Sequence, residues 1–178
     1  MSTLVQYLTS PTGYTPPIIV FTSTQARATS LLSELLLAGV KNAEVLHAGM
    51  TRHEREQCVK RMLQGEVWVL VTTDVLARGM DFGGVHGVIN FDWPESVQSY
   101  VHRIGVFQAS PACNSFSRTR AGRTGRAGRQ GTAITYFTDD DAPYLKSYVV
   151  RIGLGHMLTA TAGLQMFFSS LDKRFPSG

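Results

Sequence analysis

The sequence predicts an α/β fold, a parallel sheet of about five or six strands with helices on both faces. Three observations predict it. Short continuous β-branched and aromatic runs, typified by Ile18-Ile19-Val20-Phe21, read as strands buried on both faces. Such runs alternate about five times with segments of helical apolar spacing. Polar clusters follow the strands directly, where the loops of a parallel sheet hold ligands.

Residues 1–17 read as an irregular leader, which Pro16-Pro17 ends before the first strand at Ile18–Phe21. Thr24 reads as a helix cap, because its hydroxyl can accept an otherwise unpaired backbone N–H. Ala28, Leu31, Leu32 and Leu35 then share one helical face, and Gly39 stops the helix. Glu44–Leu46 is a second strand. A helix opening at Thr51 is expected to bury Cys58, Val59, Met62 and Leu63. Val67–Val71 and Gly87–Asn90 are the third and fourth strands. Ser96 caps a helix running to His102, Thr132–Phe137 is the fifth strand, and Asp139 to Ala142 opens a last helix.

Two stretches break this rhythm. Residues 106–122 carry Pro111, Asn114 and several serines without periodicity, and residues 148–178 carry Gly153, Gly155 and Gly163 without a cap. Both are expected to lack regular structure. The first opens at Val106 and closes on Arg120-Ala121-Gly122, and the second departs near Tyr148-Val149-Val150, again at a valine, which is compatible with translated non-coding sequence. A genuine inserted loop and C-terminus is the alternative, and transcript reads separate the two.

The chain has 178 residues, 43% hydrophobic and 17% charged, as a globular domain does. A net charge of +4 is compatible with a polyanionic partner without demanding one. Cys58 and Cys113 form neither a metal pattern nor a disulfide framework, so the expected compartment is reducing. Residues 1–14 lack the basic start of a secretion signal, and no run reaches the roughly 20 apolar residues that cross a bilayer. The chain therefore reads as soluble, with no membrane partner and no metal site of its own.

Three clusters carry chemistry. Thr72-Thr73-Asp74 ends a buried strand, and Gly79 and Asp81 follow in the string Thr72–Asp81. Thr73 offers a hydroxyl and an N–H to a phosphate oxygen, Gly79 permits close backbone approach, and Asp81 accepts hydrogen bonds as a ribose partner would give them. An ordinary loop with Asp74 as a cap is the plain alternative. Arg103, Arg123, Arg126 and Arg129 are separated by glycines, and guanidinium forks bind phosphate bidentately at any physiological pH. A disordered Gly-Arg segment that binds RNA would read similarly from residue 118 to 129. His47-Ala48-Gly49-Met50-Thr51-Arg52-His53-Glu54-Arg55 runs from a strand into a helix start, whose free N–H groups attract phosphate. Arg52 and Arg55 lie three apart and can face one side. A solvated charged first turn remains open there, and the histidines read as structural.

Taken in order, these residues resemble the C-terminal RecA-like domain of DEAD-box RNA helicases over about residues 18–146, the interruption excluded. The agreeing motifs are VFTST at Val20–Thr24, HAGMTRHER at His47–Arg55, TTDVLARGMD at Thr72–Asp81, and a split HRIG…RTGR. The last joins His102–Gly105 to Arg123–Arg126. Val88–Pro94 is similar to the strand and loop between those motifs. Ser96–Tyr100 and Ala133–Thr138 resemble a nucleolar branch that acts in small-subunit ribosome assembly.

The resemblance implies a domain over residues 18–147 interrupted at 106–122, with a leader before it and a poorly defined tail at 148–178. It implies that Thr24, Gly49, Arg55 and Thr73 hold the RNA backbone. Gly79 and Asp81 would meet ATP at the ribose, Arg123 and Arg126 would be arginine fingers at the phosphates, and Arg103 would enter an interdomain network. Arg52 stands where the family usually has glutamine. ATP is the implied cofactor, its Mg²⁺ held mainly by an N-terminal RecA-like lobe that is the implied partner together with RNA and ribosome-assembly factors. Neither a GxxxxGK[ST] loop nor an Asp-Glu-Ala-Asp string occurs in these residues. The implied state is a monomer and the implied address nuclear or nucleolar. Two alternatives stand beside a helicase lobe: a non-enzymatic RNA-binding fragment, and a lobe of a DNA-translocating relative.

Overall fold

The computed structural model describes residues 2–10, 14–74, 84–108, 131–138, 140–141, 143–144 and 164–170. Six parallel strands form one sheet: β1 (Ile18–Thr22), β2 (Ala43–Leu46), β3 (Val69–Thr73), β4 (Gly87–Asn90), β5 (Gly131–Phe137) and β6 (Leu164–Ser170). They lie in the order β2-β3-β1-β4-β5-β6. The helices are α1 (Ser2–Thr9), α2 (Gln25–Leu37), α3 (Arg52–Leu63) and α4 (Val97–Gln108).

Each strand of the centre is buried along its whole length, in keeping with its mainly apolar composition, and the threonines and Asn90 at the strand ends are buried too. One face carries Ile18, Val20, Val69, Val71, Ile89 and Ile134, and α1 and α2 cover it with Leu4, Leu8, Ala28, Leu31 and Leu35. The other face carries Ile19, Phe21, Leu70 and Val88 against Cys58 and Met62 of α3. Ala133 pairs with Val88 in register and so shares that second face, where Tyr100 and Ile104 of α4 pack on it. Helices thus cover both faces, as the sequence predicts.

Gly39 stops α2 in the expected way. Its φ of 84° is open to glycine at no steric cost, and it lets Val40 N–H reach back to Leu35 O and Gly39 N–H to Leu36 O. Gly65 repeats the device after α3.

Several expectations change. The leader holds a helix, α1, whose Leu4 and Leu8 enter the main core; a short amphipathic helix is specified by the surface it lands on rather than by propensity. β3 begins at Val69, not Val67; Trp68 N–H and Val69 N–H both donate to Asn42 O. Thr72 and Thr73 are accordingly strand residues. Leu63 is 59% exposed rather than part of the α3 stripe, since it lies one helical step, about 100°, past the Cys58–Met62 line. α4 runs on to Gln108 and so enters the stretch expected to be irregular. The tail contributes β6, which pairs with β5 in parallel. The expected last helix is described only at residues 143–144, after a turn in which Thr138 N–H and Oγ donate to the Asp141 carboxylate.

Candidate functional site

All six strands point the same way, so their C-terminal ends share one edge. That edge collects the motif residues of three neighbouring strands, β2, β3 and β1. Thr24 follows β1 and caps α2: its backbone is extended and its hydroxyl accepts from Arg27 N–H at 3.2 Å. Thr73 ends β3, paired in register with Thr22, and is nearly buried. Gly49 lies in the turn after β2, where Met50 N–H donates to His47 O. A methyl on Gly49 would come within 2.9 Å of Gln25 Oε1 and 3.2 Å of His47 Nδ1, so this turn touches the start of α2. Arg55 sits in the first turn of α3.

A capping box fixes that first turn. Thr51 Oγ accepts from Glu54 N–H, while the Glu54 carboxylate accepts from Thr51 N–H at 2.7 Å. Those Thr51 bonds hold the Glu54 carboxyl below its ordinary range. Arg52 points outward and binds Glu56 at 2.7 Å. Arg55 is half-buried, and among the described residues its Nε is enclosed without a hydrogen-bond partner, as is Nδ1 of His47.

Beside this edge lies a buried polar network that the sequence reading did not find. Arg103 of α4 is only 1% exposed. Its Nε and Nη2 grip both oxygens of the Asp74 carboxylate at 2.6 and 2.7 Å, and its Nη1 donates to Asp92 O at 2.8 Å and Asn90 Oδ1 at 3.3 Å. The guanidinium lies 5.2 Å from the Phe21 ring centroid. Asp74, left open between a cap and a ligand contact, is therefore the partner of a buried arginine. Arg103, expected in a network between lobes, makes these bonds within this one among the described residues. Asn90 passes the network to β5 by donating to Thr135 Oγ at 3.0 Å. Asp92 completes it: its carboxylate accepts from Ser23 N–H at 2.8 Å, Ser23 Oγ at 3.0 Å and Arg27 Nε at 2.8 Å. The available signal was polar residues inside apolar strands, Asn90 and Thr135, which must find partners when buried.

Gly79, Asp81, Arg123 and Arg126 lie outside the described residues. Among the described residues no group of three His, Cys, Asp or Glu side chains could hold a metal ion, and no helix is long and apolar enough to cross a membrane.

A parallel sheet with polar motifs gathered at one edge and a buried arginine on the following helix is the build of a helicase lobe. The chain belongs to the helicase conserved C-terminal domain family, which matches residues 1–105. Within it the chain is a DEAD-box C-terminal RecA-like domain. It is 41% identical over 154 residues to the ATP-dependent RNA helicase rok1 of Aspergillus oryzae, covering 83% of this chain and 19% of that protein. It is 43% identical over 135 residues to the probable ATP-dependent RNA helicase DDX52 of Bos taurus, covering 76% and 20%. The structure of the Escherichia coli DEAD-box protein SrmB, bound to regulator of ribonuclease activity A, superposes with a TM-score of 0.65 at 33% identity over 93% of this chain and 82% of that one. The chain spans about a fifth of the length of these two curated relatives. The match from residue 1 includes α1, and it ends at Gly105, where the arginine signature breaks.

Proposed function

We propose that this chain is the second lobe of an ATP-dependent RNA helicase that remodels RNA duplexes or RNA–protein complexes in ribosomal RNA processing. The observation that carries it is the placement of Thr24, Gly49 and Thr73 after or at the ends of three adjacent strands, with Arg55 in the first turn of the helix that follows β2. Hydroxyl, backbone N–H and guanidinium donors suit phosphate and sugar oxygens, so recognition follows backbone shape rather than bases. Gly79 and Asp81 would lie at the ATP ribose. Arg123 and Arg126 would stabilise charge spreading over the transferred phosphoryl group, an effect of roughly 10³–10⁵-fold in rate for an arginine finger. Mg²⁺ and the triphosphate would be held mainly by the N-terminal lobe. The protein would act as a monomer in the nucleolus, alongside ribosome-assembly factors.

A second reading is favoured by one observation: these 178 residues carry no GxxxxGK[ST] loop and no Asp-Glu-Ala-Asp string. Alone, the chain would then bind RNA without turning over ATP. Anisotropy of a labelled oligouridylate, measured over a KCl series, together with phosphate release with and without a supplied N-terminal lobe, tests both. Salt-sensitive binding alone and turnover only after reunion are expected. Absence of RNA binding at low salt overturns the lobe and the fragment readings together. Turnover by the chain alone overturns the assignment of ATP and Mg²⁺ binding to the other lobe.

A further inference from the structure

The network around Arg103 and Asp92 ties together three loops that emerge from different strands. Ser23 follows β1, Asp74 follows β3, and Asp92 follows β4. The carboxylate of Asp92 faces one way and its carbonyl the other. The carboxylate holds Ser23 through both N–H and Oγ and takes Arg27 Nε at 2.8 and 3.0 Å. Those two residues flank Thr24, Gln25 and Ala26, and Arg27 N–H is also the group that Thr24 Oγ caps. The carbonyl takes Nη1 of Arg103, whose other nitrogens hold Asp74, the neighbour of Thr73.

We propose that Asp92 is a positioning residue that sets the spacing of Thr24 and Thr73 for two phosphates of one bound strand, through the Ser23–Arg27 turn on one side and the Arg103–Asp74 pair on the other. This rests on the helicase-lobe reading of the same edge. The physical reason is rigidity. Phosphates along an RNA strand are regularly spaced, so two neutral hydroxyl contacts bind together only if their separation is held before the ligand arrives. Thr24 sits on an exposed turn and Thr73 at the end of a buried strand, with different freedom to move. Asp92 removes that difference. Its side chain is 13% exposed while that of Arg27 is 54% exposed, so the anchor lies on the β4 side and the turn is the part held. The Arg27 guanidinium, 5.5 Å from the Phe91 ring centroid, closes the latch from outside.

The test is a double-mutant cycle on RNA affinity in the full chain, using a labelled oligouridylate, with Asp92→Asn, Thr24→Val and the pair. Asp92→Asn removes the charge and one acceptor, and about tenfold weaker binding is expected. In the Thr24→Val background the same change should weaken binding less than about twofold, because the contact it positions is gone. Amide exchange at Ser23 should quicken in Asp92→Asn while Thr73 stays protected. Where Asp92→Asn fails to fold, Ser23→Ala removes one arm of the latch and is run in the same cycle, with about threefold expected alone and none in the Thr24→Val background. Full additivity of the cycle overturns the proposal while leaving the lobe reading standing. No RNA binding by the wild-type chain removes both.

Discussion

Replacing Arg103 with methionine measures what the buried network contributes. Methionine fills a similar volume, so the cavity term is small and the lost polar contacts dominate. The wild-type guanidinium makes two bonds to Asp74 and one each to Asn90 Oδ1 and Asp92 O from a site that is 1% exposed. Removing one member of a buried ion pair costs about 3–5 kcal/mol, because the other charge is stranded. The Asp74 side chain keeps 25% exposure and can recover part of its hydration, which places the cost at the lower end, about 3 kcal/mol. For a domain whose whole stability is about 5–15 kcal/mol this is a large share. It corresponds to a fall in Tm of roughly 6–12 °C for a chain of this size. Urea unfolding followed by circular dichroism checks it, with the slope unchanged. Adding Asp74→Leu removes the stranded carboxylate and should restore more than about 1 kcal/mol. A methionine variant within about 0.5 kcal/mol of wild type, or full additivity with Asp74→Leu, would refute the reasoning.

Gly49→Ala should leave stability within about 1 kcal/mol, because the groups it meets at 2.9 and 3.2 Å are the far end of Gln25 and the His47 ring, both able to swing aside. It should weaken oligouridylate binding about tenfold by placing a methyl group where a ligand would approach the Gly49 backbone, read by anisotropy beside a thermal melt. Leu4→Ala should cost about 3 kcal/mol in urea unfolding, since Leu4 is fully buried; a neutral result would return residues 1–17 to the role of a leader. Alkaline pH should loosen the fold. Burial, with the Glu44 carboxylate beside it, pushes the Cys58 thiol from 9.0 up to about 12, and burial together with the nearby Tyr7 pushes the Tyr136 phenol from 10.0 up to about 12. Both are neutral in the folded chain where the unfolded chain would ionise them. Their contribution is whole below the unfolded values and is lost as pH rises through the 9–12 window. A urea midpoint that stays flat across that window contradicts this.

How far the residues alone spoke depends on the range of the forces involved. β1 and β4 are short, mainly apolar and β-branched runs without alternation, which suits a strand buried on both faces, so the class of sheet was legible locally. The cap at Thr24, the helix start at Thr51 and the stop at Gly39 were legible because each bond closes within a few residues. The placing of Thr24, Gly49, Arg55 and Thr73 at one edge followed once all strands were parallel. The fate of α1 was not legible. Its helix exists because Leu4 and Leu8 find the surface of a sheet whose strands come later in the chain. β6 has the same origin, in a partner strand, β5, far back along the chain. The partners of Arg103 and Asp92 were hidden for the same reason. Asp74 and Arg103 are 29 residues apart, and Ser23 and Asp92 are 69 apart. A buried charge must be paired, so Arg103 had to have a partner. Which carboxylate it took depended on the order β3-β1-β4, which brings the ends of three separate strands around one guanidinium.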